Sequence, residues 1–195
     1  APRKAKAVDG ADAEAVGGLY AEIFASGTSL DDIVGDWLKR FDAHEYAALA
    51  EVINFVLRCA GCESEVDEHD TEDVDGVHTK LDDLRDEYQA TNPTEYPLIA
   101  KGKGAAGFRQ RMVGFFDSLI QASAIKGTLF ENGIFMENVL TWLSTMSSAP
   151  NRSFRHTATL ISLSIVTALC EVARENAKSA ADSRSQAEKE RSKSN

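Results

Sequence analysis

The chain has 195 residues, 43% of them hydrophobic, with 31 Asp plus Glu against 21 Lys plus Arg. That apolar share excludes a disordered chain, and the length suits one ordinary domain with its own core. The net charge of −10 argues against nucleic acid for the whole, but residues 1–95 hold 8 basic and 23 acidic side chains (net −15) and residues 96–195 hold 13 and 8 (net +5), so the second half can still meet phosphates.

In chain order, residues 1–18 are Ala-, Gly-, Lys- and Asp-rich and read as a flexible tail. Leu19, Tyr20, Ile23 and Phe24 make a short helical face that Gly27 ends. Ser29 with Asp31 and Asp32 is an N-cap with first-turn acids, opening a helix that carries Ile33, Val34, Trp37, Leu38 and Phe41. Asp42 and Glu45 have capping-box spacing for the next helix, which is apolar nearly all round from Val52 to Cys59 and stops at Gly61. Residues 63–75 hold eight acids and no Lys or Arg and are expected as an acidic, solvated loop or first turn.

Val77, Leu81, Leu84 and Tyr88 give a further helix, closed by Asn92-Pro93 and Tyr96-Pro97. Lys101 to Gly107 is a Gly-rich basic loop. Phe108, Met112, Phe115, Phe116, Leu119 and Ile120 form a strong amphipathic helix, and Phe130 to Met146 another. After Pro150, Asn151 or Ser153 can cap a last helix through Leu160, Ile161, Ile165 and Val172 that continues as a charged rod. No convincing strand appears. The fold class is therefore all-α, with antiparallel helices suited to the start of a HEAT-like solenoid. The expected divisions are a tail over 1–18, a helical domain over 19–180 and a charged extension over 181–195.

No secretory leader pattern opens the sequence, and the most apolar run, Ala158 to Cys170, is short for a bilayer, so no membrane partner is expected. Three cysteines without that pattern are expected as free thiols in a reducing compartment. A start without Met and a helix-like close without a stop signal are expected of a piece of a longer chain.

Several motifs invite chemistry that their setting withholds. Gly102-x-Gly104-x-x-Gly107 matches a dinucleotide fingerprint but has no strand before it. Thr71, Asp73, Asp75, Gly76 and Asp82 approach EF-hand spacing, with Thr where position 1 needs Asp and Asp where position 12 needs Glu. Cys59-Ala60-Gly61-Cys62 lacks two further zinc ligands at a workable spacing and lacks a βαβ setting, so it reads as helix-end packing. Ser123-x-x-Lys126 lacks its companion motifs, and His44 and His156 belong to no nucleophile constellation. No catalytic residue, metal or cofactor is expected. What remains is a basic set of Lys101, Lys103, Arg109, Arg111, Lys126, Arg152 and Arg155, readable as a solvated helix end or as a surface that contacts phosphates; Arg109 and Arg111, two apart on a helix, do not share a face.

A set of strings in fixed order carries a family resemblance. They are Asp36-Trp37, Val52-Ile53-Asn54-Phe55-Val56-Leu57-Arg58-Cys59-Ala60-Gly61-Cys62, Glu95-Tyr96-Pro97-Leu98, Phe108-Arg109-x-x-Met112-x-x-Phe115-Phe116, and Ser153-Phe154-Arg155-His156-Thr157-Ala158-Thr159-Leu160. Together, over about residues 29–175, they resemble the STAG (stromal antigen) domain in the N-terminal part of the HEAT-repeat subunit of cohesin. The resemblance implies a non-enzymatic, nuclear, chromosome-associated subunit that contacts the backbone of double-stranded DNA and serves cohesin loading and sister-chromatid cohesion. It also implies kleisin, other cohesin subunits or the loader as partners through the full-length chain. Family members are more basic just before Phe108, where this chain has Ala105-Ala106-Gly107 and carries its charge at Lys101, Lys103, Arg109 and Arg111 instead. The alternative is a protein-docking scaffold whose acidic half receives basic segments, without a DNA contact.

Overall fold

A computed structural model describes residues 10–25, 27–91, 95–100 and 105–193. They form ten α-helices: α1 Gly10–Val16, α2 Gly18–Phe24, α3 Leu30–Ala43, α4 Glu45–Cys59, α5 Glu68–Glu72, α6 Val77–Ala90, α7 Ala105–Lys126, α8 Thr128–Glu131, α9 Gly133–Ser147 and α10 Arg152–Lys193. Two 3₁₀ turns, Val74–Gly76 and Pro97–Ile99, complete the described elements, and no strand occurs among them. The fold is all-α.

The expected tail ends early. Residues 1–9 lie outside the described residues, but α1 is helical and Ala13 is fully buried in the core. Alanine favours helix, and a methyl group docks without the large apolar periodicity that marks a helix in sequence. At α3, Ser29 caps as expected, its Oγ accepting from the Asp32 amide at 3.2 Å. The capping box expected from Asp42 and Glu45 does not form: His44 holds the N-cap position of α4 without a side-chain bond. Tertiary partners claim both acids, Asp42 pairing with Lys126 and Glu45 accepting from Asn132 Nδ2 at 2.6 Å.

The acidic stretch 63–75 is irregular over 63–67, as expected of a loop, and continues as a short helix and a 3₁₀ turn from Glu68 on. Asp67 opens α5 through a capping box with Asp70, and a second cap runs from Asp73 to the Gly76 amide. These carboxylates satisfy orphan amides at helix starts, which offsets their mutual repulsion. Thr71 anchors the segment from inside, fully buried, with Oγ1 donating to the Tyr46 carbonyl at 2.8 Å.

Helix α7 runs through the middle, packed against both α3 and α10, while α9 packs on α10 and α4. Aromatic rings join these helices. Phe24 stacks on Phe108 at 4.5 Å, Phe55 meets Phe115 edge-on at 5.3 Å, and Trp37 and Phe41 pack with Phe135. The buried Trp37 indole needs a partner and donates to the Ala48 carbonyl at 3.0 Å. By length and composition α10 would pass for a membrane span. Its Phe154, Ala158, Ile161, Ile165 and Ala168 instead face the core, each 0–1% exposed. From Ala173 to Ser192 every residue is exposed, so the projecting rod begins nearer Ala173 than residue 181.

Candidate nucleic-acid interface

The basic set divides by what each side chain touches. Lys101 and Lys103 lie outside the described residues, directly before α7. Arg111 turns inward: Nε donates to the Ile23 carbonyl at 2.5 Å and Nη2 to the Thr28 carbonyl at 3.1 Å, tying α7 to the end of α2 and the approach to α3. Lys126 donates to the Leu38 carbonyl at 3.2 Å and pairs with Asp42 at the end of α3. Arg155 folds back on the turn before α10, with Nη1 donating to the carbonyls of Ala149 at 2.9 Å and Pro150 at 2.5 Å. Arg111 and Arg155 satisfy carbonyls at helix ends and turns, while Lys126 reaches a carbonyl inside α3 and the Asp42 carboxylate near its end.

Arg109 and Arg152 are different. Both are exposed, and among the described residues neither forms an ion pair or a side-chain hydrogen bond. Arg152 stands one helical turn before His156 on α10, and Arg109 comes from α7; both guanidiniums act on the His156 imidazole. Partial desolvation first, then Arg152 and Arg109, hold His156 below the ordinary imidazole value. Below this basic end, α7 and α10 form an open groove of about 590 Å³ lined by Arg109, Val113 and Asp117 on one wall and Leu160, Leu163 and Ser164 on the other. Ser164 Oγ donates to the Val113 carbonyl at 3.0 Å and fixes the two walls together. Burial, then the neighbouring Glu171, raises the Asp117 carboxyl on the groove wall, so it protonates more readily than an exposed aspartate.

Tyr96 and His156 are the residues that the basic set omits. The Tyr96 hydroxyl lies 2.8 Å from His156 Nδ1 with the rings edge-on, although Tyr96 itself is 4% exposed. Tyr96 is held from behind by Gly61, which has φ 83° and would place a Cβ 3.1 Å from Tyr96 Cβ. In front, the Tyr96 carbonyl accepts from the amides of Ile99 and Ala100 at 3.0 and 3.1 Å. The Cys-x-Gly-Cys turn, the Glu-Tyr-Pro turn and the Phe-Arg-His-Thr helix start thus meet at one place beside Arg109. The signal for Tyr96 and His156 was their place inside those strings rather than their charge. Cys59 and Cys62 are buried behind the same turn, and burial pushes both thiols up. Among the described residues, no three His, Cys, Asp or Glu side chains converge as metal ligands.

The STAG domain family model matches residues 94–195, just over half of the chain. Cohesin subunit psc3 of Schizosaccharomyces pombe is 31% identical over 176 residues, 90% of this chain and 18% of that protein. Cohesin subunit SA-3 of Mus musculus is 27% identical over 80% of this chain and 12% of its own length. Sister-chromatid cohesion protein 3 of Arabidopsis thaliana is 26% identical over 80% of this chain and 14% of its own length. The chain therefore spans less than a fifth of the length of these relatives. Among solved structures, the cohesin subunit Scc3 from Z. rouxii, residues 88–1035, superposes with a TM-score of 0.63 at 25% identity over 70% of this chain and 16% of that one. The helices described above thus share the arrangement of a stretch of that cohesin subunit, and the chain belongs to the STAG domain family of cohesin SA/Scc3 subunits.

Proposed function

We propose that this module gives a cohesin subunit a sequence-independent grip on double-stranded DNA, in the service of sister-chromatid cohesion and cohesin loading. Its role is binding rather than catalysis, in the nucleus and on chromosomes, and kleisin, other cohesin subunits or the loader are met through the full-length chain. One observation carries the reading: Arg109 and Arg152 are exposed on the packed helices α7 and α10, and among the described residues neither makes an ion pair or a side-chain hydrogen bond. Unneutralised cations on adjoining helices repel one another, and an incoming phosphate relieves that repulsion. Lys101 and Lys103 precede α7 in the sequence and belong to the same proposed basic set. Arg111, Lys126 and Arg155 support the surface through the carbonyls they hold.

The test is a salt titration of binding to a fluorescent duplex by anisotropy. Each phosphate neutralised adds about 0.9 to the slope of log affinity against log salt. Replacing both Arg109 and Arg152 by Glu should lower affinity on every duplex sequence and flatten that slope. An unchanged slope overturns the reading. In that event the acidic half becomes the functional surface. On α6 the exposed Asp82, Asp83 and Asp86 have Arg85 as their basic neighbour, a face suited to basic protein segments. Neutralising those acids should then abolish partner capture.

A further inference from the structure

We propose that His156 is a direct donor to the bound phosphate, and that Tyr96 positions it by fixing which ring nitrogen carries the proton. The inference rests on the DNA-contact reading above and assigns that site its inner donor. Tyr96 is buried, so its bond draws His156 Nδ1 inward. The two ring nitrogens point in nearly opposite directions, so Nε2 is left at the exposed edge of an exposed residue. We assign the tyrosine hydroxyl as the donor to Nδ1, which places the imidazole proton on Nε2. No hydrogen bond from either arginine to His156 occurs among the described residues, which leaves Nε2–H available to an outside acceptor.

The charge balance favours a neutral donor here. The charged groups acting on His156 are Arg152 from its own helix and Arg109 from α7; Tyr96 faces it from the turn before them, and no carboxylate acts on it among the described residues. A third cation between two guanidiniums is disfavoured, so the free ring is neutral at pH 7 while still offering an N–H. An arriving phosphate reverses the balance. Its negative charge favours the imidazolium: a solvent proton adds at Nδ1, the Tyr96 hydroxyl turns from donor to acceptor there, and the pKa that the arginines had lowered rises. The bound state thus takes up a proton, and affinity increases as pH falls from the bound value toward the free one. A Tyr96–His156 bond that only pinned the turn would leave binding indifferent to pH through this residue.

The experiment uses the 195-residue chain with a fluorescent duplex at fixed salt from pH 5.5 to 8. It compares the wild type, Y96F, H156Q and the double variant R109Q/R152Q, with melting curves for each. Long-range ¹⁵N–¹H correlation spectra of the free wild type read the His156 tautomer. The expected results are an Nε2–H tautomer, a wild-type affinity that rises toward low pH, and a flatter profile for H156Q. Y96F should bind about fivefold more weakly while staying folded at the binding temperature, its melting temperature lowered by only a few degrees. If R109Q/R152Q binds like the wild type, the DNA-contact reading fails and this inference with it. If the double variant binds weakly but H156Q keeps the wild-type pH profile, or the spectra show Nδ1–H, this inference alone is overturned.

Discussion

Asn54 and Val66 hold each other in both directions across the end of α4. Asn54 Nδ2 donates to the Val66 carbonyl at 2.8 Å, and the Val66 amide donates to Asn54 Oδ1 at 2.8 Å. A side-chain amide here does what a β-partner would do: it satisfies the donor and the acceptor of one buried residue. This pair lets a segment rich in acids lie against an apolar helix.

Asn54→Leu leaves both Val66 main-chain groups without partners at a residue that is 4% exposed. The expected loss is about 2–3 kcal/mol of unfolding free energy. Asn54→Asp keeps the acceptor but loses the donor, so its loss should be smaller. Urea denaturation at pH 7 checks both, through the midpoint at constant slope.

Gly61→Ala should cost more than its single methyl group suggests. The φ of 83° is a left-handed conformation, unfavourable for alanine by roughly 1–2 kcal/mol. The new Cβ would also meet Tyr96 Cβ at 3.1 Å, an atom that cannot swing away. Tyr96 must then shift from His156. Thermal melting should show the destabilisation, and below the transition the variant should bind duplex DNA more weakly than the wild type. An Ala variant with wild-type binding would uncouple the turn from the site.

The helices were legible because their buried faces recur at helical spacing: Ile33, Val34, Trp37 and Phe41 in α3, and Phe108, Met112, Phe115 and Leu119 in α7, all lie in the core. Local capping rules were reliable only where no distant partner competed. Ser29 caps α3, whereas Asp42 and Glu45 answer to Lys126 and Asn132, some 85 residues away in the chain (84 and 87). The candidate site was half legible. Sequence supplies the cations but not their direction, and two residues of spacing put Arg109 outside and Arg111 inside. The union of Gly61, Tyr96 and His156 depends on two long-range approaches, Gly61 to Tyr96 and Tyr96 to His156, that no local pattern encodes.

That difference between Arg109 and Arg111 separates binding from stability. Arg111→Met removes the donors to the Ile23 and Thr28 carbonyls and should lower the unfolding free energy by about 1–3 kcal/mol, with the salt dependence of DNA binding unchanged. Arg109→Met should leave the melting temperature where it is and reduce the salt slope by about 0.9. Melting curves and salt titrations on the two variants, run side by side, would expose an exchange of these roles.

The three cysteines should respond very unequally to a thiol reagent. Cys59 and Cys62 are 0% and 1% exposed, while Cys170 is exposed on α10. Burial raises the Cys59 thiol well above its ordinary value; for Cys62 burial also raises it, against hydrogen bonds from Ser64 that favour the thiolate. Thiolate, the reactive form, is therefore scarce at both buried sites. Iodoacetamide at pH 8 should modify Cys170 alone in the folded protein and all three cysteines in denaturant, as read by intact mass. Because the folded thiols hold their protons past the point where unfolded thiols release them, near pH 8.5, stability should also fall as pH rises beyond that point. Modification of Cys62 at the rate of Cys170 would mean that the turn carrying Gly61 opens readily, and the support it lends Tyr96 would have to be reassigned.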